Sequence, residues 1–309
     1  MLTGVAVLLA GFALAGIGGE LFVRGLVGIA IWARIPAGIV AVTLAAFATS
    51  SPELSVSVIA ALEGTPQIGF GDAVGSNVVN IALVLGLALT IGSIKAPRGS
   101  IRRDFPVAIL VPILTALLLI DGELSRIDGV VMLGLFCVWL AAVFFEAWRQ
   151  RSAAKEVLGE RRHGLALVLS VGGFVLLIAA GRLVVSGASG LGTILGLDPF
   201  VIGATIVAIG TSTPELATTV ISRWRGHEEV GLGTVLGSNI FNGFFIAAVA
   251  AVIHPIVVGW QEVAIGLGFG LLTVAIIYPA RDGVIGRRRG ILLLAIYAVY
   301  AAAILQAGP

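Results

Sequence analysis

The feature that most constrains this chain is a stretch that occurs twice. Ala46-Phe47-Ala48-Thr49-Ser50-Ser51-Pro52-Glu53-Leu54 matches Ala208-Ile209-Gly210-Thr211-Ser212-Thr213-Pro214-Glu215-Leu216, and Gly75-Ser76-Asn77-Val78-Val79-Asn80 matches Gly237-Ser238-Asn239-Ile240-Phe241-Asn242. Both pairs are 162 positions apart. One offset shared by two motifs, with no insertion between them, identifies an internal duplication. Any fold must therefore be built from two equivalent halves.

The halves are membrane-embedded. Of the 309 residues 58% are hydrophobic and 12% charged, with a mean hydropathy of +1.09, which is outside the range of soluble domains. The apolar runs are near 20 residues, the length a helix needs to cross about 30 Å of hydrocarbon, and they do not alternate as barrel strands do. Bounded by charge, Gly or Pro, ten spans are predicted: 2–28, 37–61, 68–92, 104–120 and 127–147, then 164–190, 199–223, 229–253, 259–279 and 289–306. The run from Leu2 to Ile17 has no basic flank before it and reads as a retained helix rather than a signal peptide.

Each copy holds five spans, so the second enters the membrane inverted relative to the first. The expected organisation is a first repeat at 1–147, a cytoplasmic linker at 148–162 and a second repeat at 163–309. Fold class follows: an all-α integral membrane protein of ten transmembrane helices in two inverted five-helix repeats, the architecture of secondary transporters. With the N-terminus outside, every Lys and Arg except Arg126 and Arg182 falls in an inner connection, so both termini are expected outside the cytoplasm. The linker mixes Arg149, Arg151, Lys155, Arg161 and Arg162 with Glu146, Glu156 and Glu160 and reads as a solvated connector, not a nucleic-acid-binding module. No soluble domain is inserted there.

Most acidic residues lie at span ends, but Glu53 and Glu215 fall in mid-span, where an unpaired carboxylate costs several kcal/mol unless it faces a partner or water. A protonated glutamic acid that merely packs helices is the bland reading. Against it stands the recurrence of the same polar neighbours at helical spacing: Thr49, Ser50 and Ser57 around Glu53, and Thr211, Ser212 and Thr219 around Glu215. Ser76 with Asn80 and Ser238 with Asn242 give two further oxygen-rich stripes at i, i+4. Pro52 and Pro214 lack the N–H that would engage the carbonyls of Ala48 and Gly210, which are expected to be free. Carboxylate, hydroxyl and carbonyl oxygens without nitrogen or sulfur suit hard cations such as Ca²⁺ and Na⁺. Gly71 with Gly75, and Gly233 with Gly237, are small-xxx-small pairs expected to allow close helix approach. Cys137 reads as a small buried hydrophobe, and His163, His227 and His254 are scattered near span ends without a role.

The doubled Gly-Thr-Ser-x-Pro-Glu and Gly-Ser-Asn-x-x-Asn motifs resemble the two alpha repeats of the calcium/cation antiporter superfamily, most closely its prokaryotic sodium/calcium exchangers. The resemblance covers essentially the whole chain. It implies that Glu53 and Glu215 are central carboxylates shared by Ca²⁺ and Na⁺, with the carbonyls of Thr49 and Thr211 completing the Ca²⁺ site. Ser50, Ser76, Ser212 and Ser238, with the carbonyls of Ala46 and Ala208, would form flanking Na⁺ sites, and Asn80 and Asn242 would border the centre. Spans one and six would slide across the other eight as a gate. Three departures stand out: Ala48 in place of the family glycine, Asn242 where prokaryotic relatives often carry Asp, and Asp72 and Thr234 where the family usually has Asn. With Asn242 the site's own charge is expected to be at most two negatives, with no potassium requirement. Asp72 is read as a helix N-terminal acid in preference to an entrance carboxylate.

The function expected is Na⁺/Ca²⁺ antiport by alternating access at one shared site, in the inner (plasma) membrane. No cofactor is expected, and the only partners are the bilayer and the transported Ca²⁺ and Na⁺, the single chain sufficing. A proton-coupled exchanger of Ca²⁺ or another divalent ion is the nearest alternative. A channel is disfavoured by the inverted pseudo-two-fold around one site, and an enzyme by the absence of a catalytic His, a clustered Asp pair or a nucleophile with a base.

Overall fold

The computed structural model describes residues 2–32, 45–150, 163–224 and 228–307, and helices of all ten predicted spans can be followed in it. Among the described residues six continuous helices are long and apolar enough to cross alone: Pro66–Ile91, Arg126–Glu146, Gly164–Gly192, Val230–Ile253, Trp260–Ile277 and Arg287–Ala307. The others are the first span, Leu2–Trp32; the second, Ala45–Thr49 followed by Ser51–Leu62; the short fourth, Asp104–Leu118; and the seventh, Pro199–Thr211 followed by Thr213–Trp224. The predicted start of span two, the inner-connection residue Arg34, Arg225, His227 and most of the linker lie outside the described residues.

The second and seventh spans break at equivalent places. The helical ladder stops at Ser50 (φ −88°, ψ 11°) and at Ser212 (φ −76°, ψ 7°), two residues before Pro52 and Pro214. The seventh span turns by 43° there. A proline cannot donate to the carbonyl four residues back, so the turn opens. The expectation that Ala48 and Gly210 keep free carbonyls is not met: Ser51 Oγ donates to Ala48 O (2.6 Å) and Thr213 Oγ1 to Gly210 O (2.8 Å). The hydroxyl just before each proline replaces the missing amide.

The third and eighth spans loosen instead of breaking. Val79–Leu85 and Phe241–Ile246 are π-helical, each beginning two residues past the Asn of Gly-Ser-Asn, and Gly203–Val207 is a third such stretch. Single π-turns inside α-helices are characteristic of functional sites. Gly64 (φ 76°) ends the second span in the left-handed region and Pro66 opens the third, so span three starts two residues before its predicted position.

Inversion of the halves is visible in their connections. Strand β1 (Ile94–Lys95) pairs with a later strand, Val284–Ile285, while Glu123–Leu124 pairs with Ile256–Val257, both antiparallel. Ile94 and Ile256 are 162 positions apart, as are Glu123 and Ile285, so the two small sheets are images of one another. Near the sheet containing Lys95, Arg287 donates to Thr90 O (2.7 Å).

Packing divides the helices into two groups. The larger core joins spans three, four, five, eight, nine and ten around Phe70, Leu85, Ile240, Phe244, Ile246 and Tyr300, and takes in Ala61 of span two and Phe200, Ala204 and Ala208 of span seven. A separate layer of Leu8, Val56, Ile59, Val184, Ala188 and Ile202 fixes the first and sixth spans against the second and seventh. Those two long helices lie against each other through glycines: a Cβ at Gly25 would meet Ser170 N at 2.3 Å, and one at Gly187 would meet Leu8 N at 3.0 Å. Gly25 with Ser170 and Gly187 with Leu8 are the same contact made twice, at the 162 offset. Outward-facing surfaces carry exposed apolar side chains such as Leu9, Ile120, Ile127, Val138, Val168 and Ile291, suited to lipid. Cys137 is among the exposed residues, correcting the expectation that it is buried.

Candidate cation site

The breaks and π-turns bring both motifs to one buried place. Glu53, Glu215, Ser50, Ser76, Ser238, Asn80, Asn242, Thr49, Thr211, Ser212, Ala46 and Ala208 are all buried, none more than 6% exposed. Hydrogen bonds cross between the halves at equivalent positions: Thr49 Oγ1 lies 3.3 Å from Ser238 Oγ, and Thr211 Oγ1 lies 3.5 Å from Ser76 Oγ. Asn77 and Asn239 stitch the same axis, since Asn77 Nδ2 donates to Asn239 O (3.1 Å) and Asn239 Nδ2 to Asn77 O (2.9 Å). Asn80 Nδ2 adds a bond to Asn239 Oδ1 (3.1 Å). The sequence signal for this asparagine pair is the third residue of the repeated Gly-Ser-Asn.

The carboxylates are less symmetric. Ser50 Oγ and Ser238 Oγ both donate to Glu215 Oε1, each at 3.1 Å. The equivalent donors for Glu53 are Ser212 and Ser76. Ser212 Oγ has no partner, and Ser76 Oγ turns to Asp72 Oδ1 (3.3 Å). Thr211 Oγ1 also donates to Asp72 Oδ1 (2.8 Å). Asp72 is fully buried at the seventh position of the helix Pro66–Val78, beyond the first turn, which corrects its reading as a helix N-terminal acid. Three carboxyl side chains, those of Glu53, Glu215 and Asp72, interact electrostatically here.

Both oxygens of Glu53, Oε2 of Glu215 and Oδ2 of Asp72 are buried without a hydrogen-bond partner, as are both amide atoms of Asn242 and Asn80 Oδ1. Buried carboxylate oxygens left without donors are costly, and a cation is the partner that offsets this. Among the described residues no three His, Cys, Asp or Glu side chains converge closely enough to hold a metal by themselves. The ligand set is therefore mixed, with hydroxyls and carbonyls supplementing the acids, as hard cations accept. The carbonyls of Ala46 and Ala208 each accept a helical amide, from Ser50 (3.0 Å) and Ser212 (3.1 Å), and a long bond from a threonine hydroxyl, Thr49 and Thr211 (each 3.4 Å).

Two sequence-selected groups stand elsewhere. Ser57 Oγ donates to Gly69 O (2.9 Å), tying span two to span three, and its equivalent Thr219 lies where a Cβ on Gly231 would touch it at 3.1 Å. Ser57 is thus a helix tie, while Thr219 Oγ1 is buried without a partner. The glycine expectation is met in the first copy: a Cβ at Gly71 would fall 2.2 Å from Phe200 O, and one at Gly75 2.4 Å from Ala204 O. The equivalent partners of Gly233 and Gly237, at 38–42, lie outside the described residues.

A family model described as sodium/calcium exchanger protein matches residues 3–145 and 165–306. The chain belongs to that family. It is 35% identical over 264 residues, 82% of each chain, to the candidate antiporter CaxA of Alkalimonas amylolytica. It is 36% identical over 230 residues to inner membrane protein YrbG of Escherichia coli (strain K12), covering 72% of this chain and 71% of that one. A solved structure of the sodium-calcium exchanger NCX_Mj, soaked with 2.5 mM Na⁺ and 0.1 mM Ca²⁺, matches 98% of this chain and 99% of its own at a TM-score of 0.68 and 32% identity. This exchanger is thus a multi-pass membrane protein that performs cation/Ca²⁺ antiport, a transporter and not an enzyme.

Proposed function

We propose that this exchanger couples inward movement of Na⁺ to expulsion of Ca²⁺ through the single site between the two halves. The observation that carries the reading is the set of buried, donor-free carboxylate oxygens on Glu53 and Glu215, flanked by paired hydroxyls from both repeats. Ca²⁺ would lie between Glu53 and Glu215 with the carbonyls of Thr49 and Thr211. Na⁺ would occupy the flanking positions near Ser50, Ser238 and Ala46, and near Ser212, Ser76 and Ala208, with Asn80 and Asn242 at the border. Separate hydroxyl-lined positions favour Na⁺ over H⁺, because proton coupling needs only the carboxylates. Both loads compete for the same two glutamates, so they cannot be held together, and exchange follows if the gate moves only when the site is occupied.

The gate is the pair of long helices Leu2–Trp32 and His163–Leu195, whose separate packing layer fits a unit that slides across the rest. The repeats at 1–147 and 163–309 would be the moving symmetry units and 148–162 their cytoplasmic linker. Basic residues on the inner connections support an inner-membrane location with both termini outside the cytoplasm. A single chain contains the whole site.

The test is ⁴⁵Ca²⁺ uptake into proteoliposomes loaded with Na⁺ or with choline at the same pH, for the wild-type chain and for Glu53→Gln. Uptake that requires internal Na⁺ and is lost in the variant is expected. Uptake that ignores Na⁺ and follows an imposed pH gradient would replace sodium by proton coupling. Uptake without any counter-ion would remove antiport altogether.

A further inference from the structure

Beside the site the two halves differ at the equivalent positions 72 and 234. Asp72 in the third span corresponds to Thr234 in the eighth, and both are buried, at 0% and 1% exposure. Around Thr234 the arrangement is simple: its Oγ1 has no partner, and Ser238, one turn on, donates to Glu215. Around Asp72 the corresponding serine, Ser76, gives its proton to Asp72 Oδ1 in place of Glu53, and Thr211 gives its proton to the same oxygen at 2.8 Å.

Two consequences follow. A hydroxyl that donates to an acid behind it presents its lone pairs on the other side, ready for a cation. Glu53 meanwhile keeps both oxygens unpartnered, whereas Glu215 has one oxygen committed. Asp72 also adds a third carboxyl group that interacts with both glutamates, while its Oδ2 stays buried and unpartnered. The three acids do not converge tightly enough to grip one ion by themselves, so this charge acts from behind Ser76 and Thr211.

We propose that Asp72 sets the preference of the site for a divalent over a monovalent cation, as a positioning residue acting through Ser76 and Thr211 and through its charge. The inference rests on the reading of this site as the Na⁺/Ca²⁺ exchange site. Coulomb energy is proportional to the charge of the bound ion. Loss of one negative charge therefore weakens Ca²⁺ by twice the free energy by which it weakens one Na⁺ at the same place. A roughly tenfold loss for Ca²⁺, at the low end for a nearby charge, corresponds to only about threefold for Na⁺.

The experiment is equilibrium ⁴⁵Ca²⁺ binding to the purified full chain in detergent, with displacement by NaCl against choline chloride, for wild type, Asp72→Asn, Asp72→Glu and the double variant Asp72→Asn with Asn242→Asp. Asp72→Asn keeps an acceptor for Ser76 and Thr211 and removes only the charge. It is expected to raise half-saturating Ca²⁺ about tenfold or more and to raise the Na⁺ needed for displacement, corrected to a per-ion constant, by about the square root of that factor. Asp72→Glu is expected to keep the wild-type ratio. The double variant returns an acid to the partner-free Asn242 position and is expected to recover it. Equal fold-changes for both ions, or no change for Ca²⁺, would overturn the proposal. Failure of Na⁺ to displace Ca²⁺ from the wild-type chain would instead refute sodium coupling, and the Ca²⁺ shift of Asp72→Asn would still decide the role of Asp72.

Discussion

Replacing Gly75 by alanine tests whether the site depends on backbone contact between the halves. A Cβ at this position would sit 2.4 Å from Ala204 O, 2.5 Å from Ala204 Cα and 2.7 Å from Ala204 C. All three are main-chain atoms, so no rotamer change can make room. Contacts closer than 3.0 Å are essentially never made by real Cβ atoms, so the third and seventh spans must separate by at least about 0.6 Å. Overpacking of this kind costs about 1–3 kcal/mol, and the better helix propensity of alanine returns at most about 1 kcal/mol. Ala204 O also accepts the Tyr300 hydroxyl at 2.9 Å, so the shift disturbs a second buried bond. The same movement stretches the bond from Thr211 to Asp72, which joins the third and seventh spans beside the site. Gly75→Ala is therefore expected to melt at a lower temperature than wild type in detergent and to lose most Ca²⁺ exchange. Gly268→Ala, a change on an exposed face of the ninth span where a Cβ meets nothing within 4 Å, is expected to leave both unchanged. A Gly75→Ala protein as stable and active as wild type would refute the claim that glycine sets this contact.

Two further perturbations probe the frame around the site. Asn77→Ala and Asn239→Ala each leave a buried backbone carbonyl without its amide donor, so each is expected to destabilise by about 1–3 kcal/mol. The double variant should cost less than the sum, a coupling that a double-mutant cycle of thermal stabilities would read directly. Tyr300→Phe removes only the bond to Ala204 O and is expected to lower stability by about 1 kcal/mol while retaining Na⁺-dependent uptake; loss of uptake with unchanged stability would place Tyr300 in the transport step instead.

The ten-span, two-repeat fold was legible because a bilayer demands long apolar runs and because the 162 offset ties every element of one half to one in the other. Glu53 and Glu215 stood out for the same reason, as acids where lipid tolerates none without a purpose. Asp72 was misplaced by a matter of register. With Pro66 opening the helix, it falls at the seventh position, beyond the reach of the helix dipole. Ser57 was misassigned because helical spacing gives a face but not its neighbour, and that neighbour is Gly69 O. Proline removes the amide due to the carbonyls of Ala48 and Gly210, and the hydroxyls of Ser51 and Thr213 fill that place, a substitution visible only once the side chains are seen. Cys137 lies in an apolar run whose outward face, in a membrane protein, is as apolar as its core.

The near-symmetry of the site bears on how the exchanger turns over. An inverted-repeat carrier can reverse its facing by letting each half adopt the conformation of the other. Here that exchange would carry the paired hydroxyls from Glu215 to Glu53: Ser212, now without a partner, and Ser76 would take the places held by Ser50 and Ser238. For Ser212 nothing stands in the way. Ser76 must first leave Asp72, a bond with no equivalent in the other half because Thr234 stands there. The two facing states are therefore unequal in this chain by an interaction that can be named. A bound cation that draws Glu53 and Glu215 together acts on both states alike and shifts nothing between them. The bias rests on Asp72, the residue that also weights the site toward divalent ions, so ion preference and resting conformation are expected to change together when it is altered.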